Sequence, residues 1–127
     1  MAKELKGFMV EQRDRDMFDY ILLLLRGKHI GAGVMSEKNR QFYTWGAHQF
    51  RYIHSVCGCY GIQFRVSGLK FRGRVRVWYN PASDYFDVEF VRAIKDEVVK
   101  SIEDICFDML HDICHKFIER DDDIECC

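Results

Sequence analysis

From residue 70 the chain reads Lys70-Phe71-Arg72-Gly73-Arg74-Val75-Arg76-Val77-Trp78, a cation at every second position through Arg76 with an apolar residue or glycine between. A period of two belongs to a β-strand, whose successive side chains point to opposite faces; on a helix the same pattern would scatter charge around the whole circumference. The segment predicts a strand that turns Phe71, Gly73, Val75 and Val77 toward a core. Lys70, Arg72, Arg74 and Arg76 then share the other face, with Trp78 at the end of the stripe.

Two flanking segments alternate in the same way, so residues 61–66, 69–78 and 85–91 read as a three-stranded antiparallel meander. Ser67-Gly68 suits a two-residue hairpin and Asn80-Pro81-Ala82-Ser83-Asp84 a longer loop. Pairing Val66 with Leu69 and Trp78 with Tyr85 sets Phe64 opposite Phe71 and Val75 opposite Val88, which collects the apolar residues on one face. On the other face Arg76 meets Asp87, Arg74 meets Glu89, and Arg65 falls opposite Lys70.

Outside this region the spacing of apolar residues changes to three and four. Met17 to Leu25, followed by Gly27, predicts a helix over residues 14–26. Ala47, Phe50, Ile53, His54 and Cys57 predict a second over 47–57, ended by Gly58. Ile94, Val98, Val99, Ile102, Ile105, Cys106, Met109, Leu110, Ile113, Cys114, Phe117 and Ile118 predict a third over 93–120, about 40 Å long at 1.5 Å per residue. Ser36 is a candidate N-cap, the 27–33 stretch a glycine-rich turn without the ending of a phosphate-binding loop, and Asp121-Asp122-Asp123 a solvated tail.

The expected fold is thus a single α+β domain over residues 1–127: N-terminal helices, a three-stranded antiparallel meander, and a long C-terminal helix packed on the sheet. Its length of 127 residues and 48% hydrophobic content suffice for a core without disulfides. The charged start Met1-Ala2-Lys3-Glu4-Leu5-Lys6 and the absence of a long apolar run predict a soluble cytoplasmic protein, with Cys57, Cys59, Cys106, Cys114, Cys126 and Cys127 as reduced thiols. The Cys126-Cys127 ending resembles that of prenylated small GTPases, but their phosphate-binding loop is missing here.

A formal net charge of −1 excludes a general attraction of the whole protein to polyanions, so any basic function is local. The candidate ligand-binding residues are Arg65, Lys70, Arg72, Arg74, Arg76, Trp78 and Tyr85. Guanidinium groups suit phosphate or carboxylate, and aromatic faces suit bases. The competing reading is a ladder of ion pairs in which Asp87 and Glu89 neutralise Arg76 and Arg74. Two further clusters carry less. Asp104, Asp108, His111, His115 and Glu119 would share one face of the expected C-terminal helix, where His111 and His115 sit at metal-ligand spacing. His54, Cys57 and Cys59 lack the spacing of a zinc knuckle or a redox motif.

These observations predict a non-enzymatic module that engages an anionic partner (nucleic acid, a nucleotide or an acidic protein surface) and requires no cofactor or metal. The alternative is an interaction or inhibitor protein, a homodimer whose surplus apolar helix surface forms the seam.

Overall fold

The computed structural model describes residues 11–27 and 37–120. A five-stranded antiparallel sheet in the order β1-β2-β3-β4-β5 forms one layer. Its strands are β1 (His48–His54), β2 (Tyr60–Ser67), β3 (Arg72–Asn80), β4 (Tyr85–Arg92) and β5 (Val98–Ile105). The helices are α1 (Gln12–Arg26), α2 (Glu37–Thr44) and α3 (Leu110–His115), the last entered by a 3-10 turn (Phe107–Met109) and continued by a wider π-type turn (Lys116–Arg120). Ser36, most of the 27–33 turn, the 121–123 acidic run and the terminal cysteine pair lie outside the described residues.

The three-stranded expectation is therefore corrected to five strands, and two expected helices are strands. In both cases a β-bulge produced the misleading spacing. The β4–β5 register slips between Phe86 and Val88 and again between Phe90 and Val91. Each slip adds one residue to β5; at the first of them Ile102 and Ile105 reach the same face three residues apart, and Asp104 between them takes a positive φ of 57°. In β1 the register skips between His48 and Arg51 with Gln49 at φ 57°, which spaces Ala47 and Phe50 as a helix would. The long C-terminal helix is in fact a strand followed by short helical turns.

The expected strand faces hold, but both hairpin registers move. Val66 pairs with Gly73 rather than Leu69, and Asn80 rather than Trp78 pairs with Tyr85. Both shifts are even numbers of residues, so no side chain changes face. The first has a long-range cause: the Lys70 and Phe71 N–H groups donate to the Ile118 carbonyl at 2.9 and 3.2 Å, and the Leu69 N–H donates to the Glu119 carboxylate at 2.9 Å. The C-terminal turn thus holds residues 68–71 out of the ladder, and Lys70 lies in a loop instead of on the strand.

α1 matches its expected span closely. It starts with a reciprocal capping box between Glu11 and Asp14 and ends at Gly27, whose φ of 80° suits glycine and whose N–H donates to Leu23 O at 2.8 Å. Asn39 of α2 donates its side-chain amide to the Arg26 carbonyl at that end, tying the two helices together. One face of the sheet is covered by these helices. Ile21 and Leu25 of α1, Trp45, Leu110, Cys114 and Ile118 bury fully against Ile62, Phe64, Val75, Val77, Val88 and Phe90. Phe90 stacks on Phe117 at 4.1 Å and meets Phe71 edge-on at 5.6 Å. Much of the apolar helix surface assigned to a dimer seam is accordingly spent inside the fold.

Candidate anion-binding site

The sheet face away from the helices carries the alternate residues of β3. Arg72, Arg74, Arg76 and Trp78 project there, next to Gln63 and Arg65 of β2 and Asp87 and Glu89 of β4. These residues do not behave as one stripe, because burial divides them.

In the middle of the sheet the face is closed. Arg76 is 4% exposed; its Nε donates to Gln63 Oε1 at 2.9 Å, and its terminal nitrogens lie 3.9 Å from Glu89 and 3.5 Å from Asp96. Burial pulls its pKa below the usual arginine value, opposed by Glu89 and then Asp96. Trp78 is fully buried among Ile53 and Cys59 and donates its indole N–H to Glu89 at 3.1 Å. Asp87 accepts the Asp104 backbone N–H at 3.0 Å, satisfying the strained bulge of β5 at Asp104. Arg76 and Trp78 are therefore structural, and no base can stack on the indole. Arg76 meets Glu89, and Asp87 meets Trp78, correcting the expected pairing by two residues. Tyr85 is exposed but pairs with Asn80, eight residues along β3 from Arg72, which separates them by about 27 Å at 3.4 Å per residue.

Toward the start of β3 the face opens. Arg65 and Arg74 are direct cross-strand neighbours, and Arg72 pairs across from Ser67. Arg74 reaches Asp96 at 2.6 Å and donates to the Arg92 carbonyl at 2.9 Å, and this contact holds the Asp96 carboxyl below the usual carboxylate range. Arg51, Arg65 and Arg72 make no side-chain hydrogen bond or ion pair with any described residue. A depression of about 330 Å³ lies here, lined by Gln49, Phe50, Arg51, Gln63, Arg65 and Arg74. Three guanidinium groups and two amides face it, with no carboxylate among the described lining residues, so it is rich in donors that match an oxyanion. The bulge at Gln49 shapes its wall. Arg51 was invisible to the sequence reading because that segment had the spacing of a helix.

The metal-ligand stripe on the C-terminal helix is not formed. Asp104 belongs to β5, Asp108 to the 3-10 turn, and His111 is buried in the core. The His111 Nδ1 lies 2.6 Å from the Leu25 carbonyl and its Nε2 2.7 Å from the Gln41 amide, while its ring packs on Trp45 at 5.2 Å. His115 accepts the Trp45 indole N–H on Nδ1 at 3.0 Å. Among the described residues no group of three or more His, Cys, Asp or Glu side chains is placed to hold a metal. In the remaining cluster, Ser55 contacts the Cys57 thiol at 3.1 Å and accepts the Cys59 N–H at 3.1 Å, while His54 contacts Arg13 at 3.0 Å. Burial pushes the Cys114 thiol up to about 12, which leaves it inert near neutrality.

The buried histidine has a consequence for stability. Desolvation depresses the His111 pKa, the Leu25 carbonyl opposing it. The unfolded chain therefore takes up a proton at a higher pH than the folded one, and stability falls as pH drops below about 6.5, the ordinary histidine value. The expected slope is at most about 1.4 kcal/mol per pH unit. Urea denaturation of wild type and His111→Asn between pH 7 and pH 5 checks this: the variant, though less stable, is expected to show a shallower dependence, and an identical dependence refutes it.

No protein-family model, curated protein or solved structure matches this chain. No helix among the described residues is long and apolar enough to cross a membrane.

Proposed function

We propose that the protein is a non-enzymatic binding module that takes a phosphate-bearing polyanion, single-stranded nucleic acid first, at the open arginine end of its outer sheet face. The observation that carries this reading is the pairing of Arg65 directly with Arg74, with Arg51 and Arg72 nearby and Asp96 bonded to Arg74. Like charges opposite one another on a sheet are unfavourable unless an anion lies between them. The buried indole and the distant Tyr85 leave the contact to phosphates, so binding should depend weakly on base sequence.

Fluorescence anisotropy with a labelled oligothymidylate tests the proposal. For three neutralised phosphates, log affinity should fall against log salt with a slope of about −2. Arg51→Glu/Arg65→Glu is expected to weaken binding more than tenfold with an unchanged thermal midpoint. Equal affinity of the two proteins, or no salt dependence, refutes the proposal, as does stronger binding of a polyglutamate peptide, which would make the partner an acidic protein.

A further inference from the structure

The three most exposed large apolar side chains among the described residues are Ile94 at 94%, Leu69 at 82% and Tyr43 at 69%. All three lie at one end of the sheet, where β3 begins with Arg72. Leu69 is in the β2–β3 turn and Ile94 in the β4–β5 connection. Tyr43 is brought there by the link from α2 to β1: the Gly46 N–H donates to the Tyr43 carbonyl at 3.2 Å, and the Trp45 carbonyl accepts the N–H of Ser67, the last residue of β2, at 2.8 Å. The two turns are neighbours. Phe71 and Arg72 from one, and Ile94 and Lys95 from the other, line a single depression of about 610 Å³.

Single apolar residues scattered over a surface need no explanation, but three of them gathered at one end of a sheet, with cations between, call for a partner. Arg72 and Lys95 make no side-chain ion pair with a described residue, while the neighbouring acids are engaged, Glu97 with Arg92 at 2.7 Å and Asp96 with Arg74 at 2.6 Å. The core of a protein–protein interface is depleted of charge, which this surface is not. An anionic bilayer asks for the arrangement seen here: aliphatic side chains that enter the acyl boundary, cations at the headgroups, and a tyrosine at headgroup level. The β2–β3 turn and the β4–β5 connection are two strand spacings apart, about 10 Å, so Leu69 and Ile94 can enter one flat surface together.

We propose that this end of the sheet rests on anionic lipid bilayers as a peripheral contact, with Leu69 and Ile94 inserted, Tyr43 at the headgroups, and Arg72 and Lys95 against the lipid charge. No spanning element takes part. The contact does not rest on the reading of Arg51 and Arg65 as part of a polyanion site, and the two surfaces have only Arg72 in common.

Sedimentation of the full chain with vesicles of equal parts phosphatidylcholine and phosphatidylserine tests the proposal, with phosphatidylcholine vesicles as the uncharged reference. Wild type is expected to bind the mixed vesicles more than tenfold tighter than the reference, since each basic residue near an anionic surface contributes about fivefold. Leu69→Ser/Ile94→Ser should weaken that binding more than tenfold while leaving the thermal midpoint and the affinity for oligothymidylate unchanged. Insertion is read directly from Ile94→Trp, whose fluorescence is expected to shift to the blue on the mixed vesicles. Trp45 and Trp78 are fully buried and supply a constant background, and Val56→Trp, in the β1–β2 turn at the opposite end of the sheet, should not shift. Absence of vesicle binding by wild type, or equal blue shifts in the two tryptophan variants, overturns the proposal. So does a serine variant that binds as wild type does, which would leave adsorption by charge alone. If wild type ignores vesicles and the serine substitutions convert a dimer to a monomer in light scattering, the face belongs to a second copy and the lipid contact falls. Loss of oligothymidylate binding by wild type refutes only the polyanion reading, and the vesicle result stands apart from it.

Discussion

Glu89→Ala is expected to destabilise the protein by about 3–5 kcal/mol, read as a drop in the denaturation midpoint, because it leaves a buried cation without its counter-charge. Glu89 is 1% exposed, accepts the Trp78 indole N–H at 3.1 Å, and lies 3.9 Å from a terminal nitrogen of Arg76, itself 4% exposed. Asp96 does not replace it, being on the surface, 3.5 Å from Arg76 and already bonded to Arg74 at 2.6 Å. Glu89→Gln keeps an acceptor for the indole and loses only the charge, so its cost should fall between wild type and alanine. Arg76→Met/Glu89→Leu removes both charges and should recover most of the loss, since a buried ion pair replaced by apolar residues of similar size is often neutral. A cost below 1 kcal/mol for Glu89→Ala would mean that Arg76 reaches water and that the closed middle of the outer face is open.

This division of the outer face could only partly be read from the sequence. The alternation of residues 70–78 fixes which side chains share a face, and even-numbered register shifts leave that unchanged. It does not say how far each side chain is from solvent. Arg76 and Arg72 are equivalent in the pattern, yet one is sealed between Gln63, Glu89 and Asp96 and the other is exposed. β1 and β5 were hidden for a different reason. Bulges at Gln49 and Asp104 insert a residue where the face would otherwise repeat every second position, and the resulting three-residue spacing is indistinguishable from a helical one. The β-branched content of Val98, Val99, Ile102 and Ile105 was the signal that favoured a strand. Ser67-Gly68 signalled a turn, but the length of the 68–71 loop could not be read locally, since Ile118 and Glu119 hold it out of the ladder.

Gly61→Ala is expected to prevent stable folding, at a cost above about 4 kcal/mol, although it adds one methyl group. The positive-φ glycines among the described residues are Gly27, Gly46 and Gly58, so Gly61 is not required for an unusual backbone. Its requirement is steric: a Cβ at Gly61 would lie 2.0 Å from the Val77 carbonyl oxygen and 3.2 Å from the Trp78 Cα, both backbone atoms of the paired strand. A flexible side chain can give way, but here relief requires β2 to move off β3 in the middle of the sheet. That movement would break the Gly61–Trp78 pair and open the site of the indole, which is buried with Ile53 and Cys59. Gly58→Ala provides the control. Gly58 has φ 95° and nothing within 4 Å of an added Cβ, so the substitution costs only the backbone preference, about 1 kcal/mol. Soluble yield and urea midpoints of the two variants separate the causes: similar stability would show that β2 and β3 yield easily at Gly61, and the close approach of the two backbones would then not be what positions Trp78 and Glu89.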